Sequence, residues 1–199
     1  TDKVYIKLNK DFSEYFFRLA HKEFGSFGQI GKYLHLKSAD TTFARNWRKG
    51  MNCYPLYIMV VLANKAGVPL SVLESNIEEI KYKSVLYGRG GSSGKSIINP
   101  KLPVMMNEDF AEIVGHLCGD GSIPRTKQKR GHPFCYINSE PALIENFKEL
   151  MKKVFGEMEP NIQIRTGPNY RRPNYYLRYP AIVSAFILSV FDFKPKDEK

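Results

Sequence analysis

The order of hydrophobic patterns in the second half of the chain constrains the fold more than any other feature. Apolar residues recur at helical spacing over 108–118, and 121–139 alternates around a charged turn, which predicts a helix followed by a β-hairpin. A second amphipathic helix over 141–156, a second hairpin over 161–180 and a third helix over 181–191 follow. The predicted order is therefore α-β-β-α-β-β-α, and the predicted fold class is α+β.

The first part of the chain has a different pattern, in which short apolar stripes are separated by turn residues. Proline or glycine marks the start or the end of several of these stripes, as is typical of helices. We predict an all-α domain over residues 1–82 that contains five short helices, at 11–24, 26–36, 41–50, 55–67 and 68–82.

Residues 83–104 differ in composition from both flanking parts. They are rich in Gly, Ser and Lys, which predicts a flexible basic linker between the first domain and a second domain at 105–199. The letters GGSSGKS suggest a phosphate-binding loop, but that motif requires a glycine where Arg89 stands and a buried strand before it. We therefore exclude nucleotide binding at this segment.

The charge of the chain indicates a class of partner. Thirty Lys and Arg residues against 20 Asp and Glu residues give a formal net charge of +10. Such an excess favours polyanions, of which nucleic acid is the commonest in a cell. A solvated basic surface without a partner is the alternative.

Cysteine count and hydropathy indicate the cellular compartment of the protein. The three cysteines, Cys53, Cys118 and Cys135, form no CxxC pair, which argues against a disulfide scaffold or a zinc finger and favours a reducing compartment. No apolar run approaches the roughly 18 residues that a membrane span needs, so no membrane association is expected. We expect an intracellular, cytoplasmic and nucleoid-associated protein.

Two of the predicted N-terminal helices have opposite character. The segment 26–36 is apolar, whereas 41–50 is polar and basic, and the Pro-led segment 55–74 follows. This succession resembles the helix-turn-helix domain of phage repressors, which implies that the polar helix enters the major groove. The alternative is a protein-interaction bundle with a solvated basic helix. The resemblance implies these DNA-contacting residues: Gln29, Thr41, Thr42, Arg45, Asn46, Arg48 and Lys49.

The stretch EIVGHLCGDGSI, residues 112–123, contains the last turns of the helix predicted at 108–118 and the Gly-Asp-Gly sequence that follows. Ala111, Gly115 and Gly119 recur every four residues on one helix face. Glycine inside a helix costs roughly 0.5–1 kcal/mol relative to alanine, so a stripe of small residues indicates close approach of another backbone. We expect that backbone to be an equivalent helix.

Asp120 follows at the C-terminal end of this helix, where the unpaired carbonyls already carry partial negative charge. A carboxylate together with a backbone carbonyl, here that of Gly119, is a suitable hard-ligand set for Mg²⁺ or another divalent cation. A calcium loop is excluded because the following residues lack its alternating acids. A plain Gly-Asp-Gly turn is the alternative.

Together, IVGHLCGDG (113–121) and the hairpins and helices after it resemble one unit of the LAGLIDADG homing endonuclease family, over about residues 107–197. Gly115, Gly119, Asp120 and Gly121 keep the family's pattern, and Cys118 departs from it. The resemblance implies a curved sheet along the DNA major groove and two motif helices packed side by side. It also implies metal-assisted phosphodiester hydrolysis, with Asp120 as the metal-binding acid.

The resemblance extends to other parts of the catalytic apparatus. It implies a basic residue after the last helix, for which Lys196 is preferred over Lys194. Asn138 and Ser139, at the end of the first hairpin, would order water. Since the chain carries one motif, it implies either a homodimer through the Ala111, Gly115 and Gly119 face or a missing C-terminal second repeat.

The two predicted hairpins carry many basic residues with tyrosines between them. Strand pleating presents only one face of each strand to a groove, and we expect Gln163, Arg165, Tyr176 and Arg178 to share that face. The full set of candidate DNA-binding residues on the two hairpins is Ser122, Arg125, Lys127, Lys129, Arg130, Gln163, Arg165, Arg171, Arg172, Tyr176 and Arg178.

The two resemblances together imply a sequence-specific protein that binds double-stranded DNA and is a Mg²⁺-dependent DNA endonuclease of homing type. One alternative is a transcriptional regulator that binds DNA on the same scaffold without cleaving it. Another is an RNA-splicing maturase that uses the same basic surface.

Overall fold

A computed structural model describes residues 4–35, 53–82, 96–122, 134–167 and 172–191. The chain divides into two compact units, Thr1–Lys83 and Ser84–Lys199. The described residues form seven helices and two small antiparallel sheets. The predicted α+β class is thus confirmed.

The helices of the first unit begin and end at capping residues. Asn9 precedes the first helix and accepts a hydrogen bond from the backbone of Phe12, and Gly25 ends that helix with φ of 75°. Four of the predicted helices are present, three of them shortened, while the one predicted at 41–50 lies outside the described residues. The bounds are α1 Lys10–Phe24, α2 Phe27–Tyr33, α3 Leu56–Lys65 and α4 Leu70–Glu74.

The expectation of an all-α first unit is wrong, because this unit also contains a sheet. Strand β1 (Val4–Leu8) pairs antiparallel with β2 (Tyr54–Pro55) and with β3 (Ile77–Tyr82). The predicted helix at 68–82 therefore ends at Glu74, and its second half is β3. The pattern IEEIKY fits a helix and a strand alike, and its pairing with β1, some 70 residues earlier, decides between them.

The core of the first unit forms where this sheet meets α1 and α3. Ile6 and Leu8 of β1 are fully buried, as are Phe16 of α1 and Leu62 of α3. Ser13 and Tyr54 carry the buried hydroxyls of this core and hydrogen-bond each other at 2.8 Å.

The second unit has the predicted order of helix, hairpin, helix, hairpin and helix. A short strand precedes it, and its sheet has the strand order β5-β6-β8-β7, antiparallel throughout. The bounds are β4 Ile97–Ile98, α5 Glu108–Asp120, β5 Gly121–Ser122, β6 Cys135–Asn138, α6 Pro141–Phe155, β7 Asn161–Arg165, β8 Asn174–Arg178 and α7 Ala181–Val190.

The helices of the second unit cover one face of this sheet. Tyr136 of β6 and Leu177 of β8 are fully buried on that face, and the Tyr136 ring stacks on Phe147 of α6 with centroids 4.1 Å apart. Phe110 of α5 packs edge-on against Phe155 of α6. These apolar contacts hold both β6 and α5 against α6.

Residues 98–101, near the end of the segment predicted to be a flexible linker, make defined backbone contacts. Ile98 and Glu157 exchange two backbone hydrogen bonds, and Lys101 donates another to Phe155. Gly156 has φ of 108°, and a Cβ there would meet the Asn99 carbonyl oxygen at 2.6 Å, so this crossing requires glycine. Residues 98–101 are therefore fixed against the end of α6.

Candidate functional site

Strand register places the four favoured hairpin residues on one face of the sheet. Gln163 lies opposite Tyr176, and Arg178 lies opposite Asn161. Arg165 is two residues from Gln163 on the same strand, so it projects from the same face. Leu177, between Tyr176 and Arg178 on the same strand, projects from the opposite, helix-covered face and is fully buried. The expectation that the pleat separates these two sets thus agrees with the observed pairing.

This polar face is accessible and preorganised. The side chains of Gln163, Arg165 and Arg178 are exposed, and Tyr176 is half-buried. The guanidinium carbon of Arg165 lies 4.3 Å from the centre of the Tyr176 ring. A cation held over an aromatic ring loses less conformational freedom when it binds a ligand. We call the set Gln163, Arg165, Tyr176 and Arg178 the polar sheet face.

The neighbouring strands extend the same face. Cys135 of β6 lies opposite Arg178, and Ser122 of β5 lies opposite Cys135. Burial raises the pKa of the Cys135 thiol, and the nearby Arg178 guanidinium opposes that rise. Ser122 is exposed, so it is accessible beside the polar sheet face.

Two other candidate DNA-binding residues lie elsewhere. Arg172 is exposed and forms an ion pair of 3.5 Å with Glu140. Gln29 is exposed on α2, where its backbone amide donates to Ser26 Oγ at the helix N-terminus. The remaining candidates lie outside the described residues: Thr41, Thr42, Arg45, Asn46, Arg48, Lys49, Arg125, Lys127, Lys129, Arg130, Arg171 and Lys196.

Asp120 is the last residue of α5 and is exposed, as its place in the sequence predicts. Its Oδ2 accepts a hydrogen bond of 2.7 Å from the Asn138 side-chain amide. Gly121 follows and donates its backbone N–H to the Leu117 carbonyl. A Cβ at position 121 would collide with that same carbonyl, so the tight exit of the chain into β5 requires glycine after Asp120.

The small-residue stripe of α5 is open. A Cβ added at Gly115 or Gly119 would meet no atom within 4 Å among the described residues. Ala111 and Cys118 on the same side of the helix are exposed as well. The described part of the chain therefore gives no reason for glycine at 115 and 119, and the open stripe is available to a second helix.

Sequence reasoning missed a group of polar side chains between α5 and β6. Tyr136 Oη lies 3.1 Å from His116 Nδ1 and 3.3 Å from Asn138 Nδ2. Burial raises the pKa of the Tyr136 phenol, the Asn138 amide opposes that rise, and the Asp120 charge adds to it. The signal was present, because Tyr136 and Asn138 share a strand face and His116 precedes Asp120 by one helical turn.

One chain supplies few ligands for a metal at Asp120. Within the described ranges, no group of three His, Cys, Asp or Glu side chains is arranged to hold an ion. The exposed Asp120 carboxylate is nevertheless a hard-oxygen donor of the kind that Mg²⁺ prefers, and Oδ1 has no hydrogen-bond partner among the described residues. A metal site there requires a second carboxylate or a phosphate from outside the described chain.

A bilayer-spanning helix is likewise not found among the described helices, since none is both long and apolar enough. Comparisons of this chain with protein-family models, with curated proteins and with solved structures gave no match.

Proposed function

We propose that this protein binds double-stranded DNA at a specific sequence and, as a dimer, hydrolyses a phosphodiester bond with a divalent metal ion. The second unit would act as a LAGLIDADG-like unit, with Asp120 as a metal ligand. The N-terminal unit would add contacts of the helix-turn-helix type.

The observation that carries this proposal is the polar sheet face. Three exposed side chains that can donate to bases or phosphates, Gln163, Arg165 and Arg178, project from one side of adjacent antiparallel strands. An antiparallel ribbon fits the major groove, where arginine pairs with guanine and glutamine with adenine. The net charge of +10 supports binding to the phosphate backbone as well.

The open stripe of α5 supports dimerisation. Gly115 and Gly119 cost helix stability, yet no described side chain or backbone fills the space beside them. A second copy packed on this stripe would place its own Asp120 near the first, because each Asp120 ends its helix immediately after Gly119. Two carboxylates and DNA phosphate oxygens would then complete an all-oxygen ligand set.

In this arrangement each residue has a defined task. The polar sheet face would hold the duplex, and the paired Asp120 carboxylates would hold divalent ions. A bound divalent ion lowers the pKa of water and stabilises the leaving oxygen. Asn138 holds one oxygen of Asp120 through its 2.7 Å hydrogen bond, which restrains the carboxylate at the helix end.

The test begins with selection of a target from a random duplex library, followed by incubation of that duplex with the protein and Mg²⁺. We expect site-specific cleavage that is lost in Asp120→Asn. Asp109→Asn is the matched control, because it makes the same chemical change in the first turn of the same helix and breaks only a surface ion pair with Lys153. Equal cleavage by Asp120→Asn and wild type would contradict the proposal.

A second candidate is a regulator that binds DNA without cleaving it. It is favoured by the lack of a three-ligand metal group among the described residues and by the hydrogen bond that already occupies Asp120 Oδ2. Tight sequence-specific binding with no nicking in Mg²⁺, Mn²⁺ or Ca²⁺ would select this candidate. Preference for folded intron RNA over duplex DNA would instead select the maturase function.

A further inference from the structure

The side chain of Asn138 has a single orientation that satisfies its surroundings. Its Oδ1 accepts a hydrogen bond of 2.8 Å from the backbone N–H of Glu140. The amide nitrogen must therefore point the other way, where it lies 2.7 Å from Asp120 Oδ2 and 3.3 Å from Tyr136 Oη. One hydrogen of the NH₂ group serves each acceptor.

Tyr136 continues the hydrogen-bond chain into the interior. Its phenol oxygen receives a hydrogen from Asn138 and lies within hydrogen-bond distance of His116 Nδ1, at 3.1 Å. The stack of its ring on Phe147 and its full burial hold the phenol in place. On the other side of the ring, His116 Nε2 lies 3.4 Å from the side-chain nitrogen of Asn146.

His116 links this chain of hydrogen bonds to the middle of α5. Glu112, His116 and Asp120 lie four residues apart along one side of the helix, beside the open small-residue stripe. Glu112 Oε1 lies 3.8 Å from His116 Nε2 and accepts a hydrogen bond of 2.8 Å from Asn146 of α6. The polar side of α5 is thus connected from its middle to its last residue.

We propose that Asn138 is the positioning residue of Asp120, and that Tyr136 and His116 hold the Asn138 amide in the orientation this requires. One oxygen of Asp120 is fixed by Asn138, and the other is left for an external ligand. This inference rests on the proposed function for the identity of that ligand, a divalent cation. The hydrogen-bond chain itself is independent of it.

The experiment uses the full-length protein and three variants. Asn138→Ala removes both amide donors, and Tyr136→Phe removes only the hydroxyl that connects Asn138 to His116. Tyr179→Phe is the matched control, because Tyr179 also packs on Phe147 and its buried hydroxyl has no partner among the described residues. Mn²⁺ binding is measured by electron paramagnetic resonance, and NMR records the Asp120 carboxyl carbon and the imidazole nitrogens of His116.

We expect Asn138→Ala to weaken Mn²⁺ affinity by about tenfold, the usual loss when an outer partner of a metal ligand is removed. Tyr136→Phe should give a smaller loss of the same sign, and Tyr179→Phe none. Both network variants should shift the His116 nitrogen signals and the Asp120 carboxyl signal. A purely structural role for Asn138 would leave the His116 signals unchanged.

The outcomes separate the two proposals. If the wild type binds no Mn²⁺, the metal site of the proposed function is wrong. The positioning role is then tested by whether Asn138→Ala and Tyr136→Phe shift the NMR signal of the Asp120 carboxyl carbon. Wild-type Mn²⁺ affinity and unchanged signals in Tyr136→Phe would overturn the positioning role. That isosteric variant also decides the matter if Asn138→Ala fails to fold.

Discussion

The guanidinium of Arg165 lies over the ring of Tyr176, 4.3 Å from its centre, on the side of the sheet that also presents Gln163. The two side chains come from adjacent strands, so only the antiparallel register brings them together. The ring holds the charge in place before any ligand arrives. Arg165 is therefore the residue on which we expect DNA affinity to depend most.

Arg165→Ala should weaken binding of the selected duplex by about 1–3 kcal/mol and relax specificity at one base pair if Arg165 contacts a base edge. If Arg165 contacts phosphate, affinity should fall for all sequences. The slope of the logarithm of the binding constant against the logarithm of salt concentration should then decrease in magnitude by about one. Fluorescence anisotropy at several salt concentrations measures both. Arg18→Ala, in an exposed position of α1, is the charge-matched control. Equal effects of the two variants would contradict a special role for the sheet.

Tyr176→Leu tests whether the ring prepares Arg165 for binding. This change keeps an apolar side chain of moderate size and removes the aromatic face under the guanidinium. We expect a loss of duplex affinity of about 0.5–1 kcal/mol, in the range of an exposed cation–π contact. In the Arg165→Ala background the same change should cost less, and additive losses in this double-mutant cycle would contradict the coupling.

Gly115→Ala should have opposite effects on the single chain and on the dimer. A Cβ at position 115 meets no described atom within 4 Å, so alanine should raise the free energy of unfolding of the dilute protein by about 0.5–1 kcal/mol. The same Cβ would separate two helices that pack on the stripe, which should weaken self-association. Urea unfolding and analytical ultracentrifugation measure the two effects. Gly121→Ala is the contrasting variant, since its Cβ collides with the Leu117 carbonyl and should destabilise the fold.

Cys118 offers a direct test of the helix pair. It is exposed on α5 next to Gly119, whereas Cys135 is buried. If two copies pack through the stripe, a short bifunctional maleimide should link Cys118 of both into a covalent dimer that denaturing electrophoresis detects. Cys118→Ser should abolish the product, and Cys53→Ser should not. Absence of cross-linking at concentrations where the protein is dimeric would place the dimer interface elsewhere.

Tyr179→Phe should stabilise the second unit. The Tyr179 hydroxyl is buried without a hydrogen-bond partner among the described residues, and an unsatisfied polar group of this kind costs about 1–3 kcal/mol. Removing it keeps the ring contacts with Phe134 and Phe147, so the free energy of unfolding should rise by about 1 kcal/mol. Tyr136→Phe, which removes a hydroxyl with two partners, should lower it. If both variants changed the free energy of unfolding in the same direction, the Tyr179 hydroxyl would not be the unsatisfied one of the two.

Stability should fall at alkaline pH. Burial raises the pKa of Tyr54, Tyr136 and Tyr179 above the ordinary value of 10.0, and that of Cys135 above 9.0. Because folding favours the protonated forms, their contribution is complete below pH 9 and is lost as pH rises through these values. Urea unfolding between pH 7 and pH 11 measures how steeply the free energy of unfolding falls with pH. Tyr179→Phe should make this fall less steep, and Tyr15→Phe, at an exposed position, is the control that should leave it unchanged.

Local pattern was sufficient for the elements of the second unit. The helices ending at Asp120 and Phe155 and the two hairpins follow from periodicity and from glycine at the ends, which depend on neighbours in sequence alone. The same reasoning failed at IEEIKY, because that hexapeptide fits either period and only β1 supplies its partner. Long-range pairing overrode a helical pattern at this point.

The sequence by itself determined that Asp120 lies at the end of a helix that carries a stripe of small residues, because both properties follow from residue type and helical spacing. Only the tertiary structure decided which side chains meet there. Asn138 reaches Asp120, and Tyr136 reaches His116, across 18 and 20 residues respectively. Hydrogen-bond partners depend on the position of β6 beside α5, where the His116 ring packs edge-on against Tyr136 and Phe147.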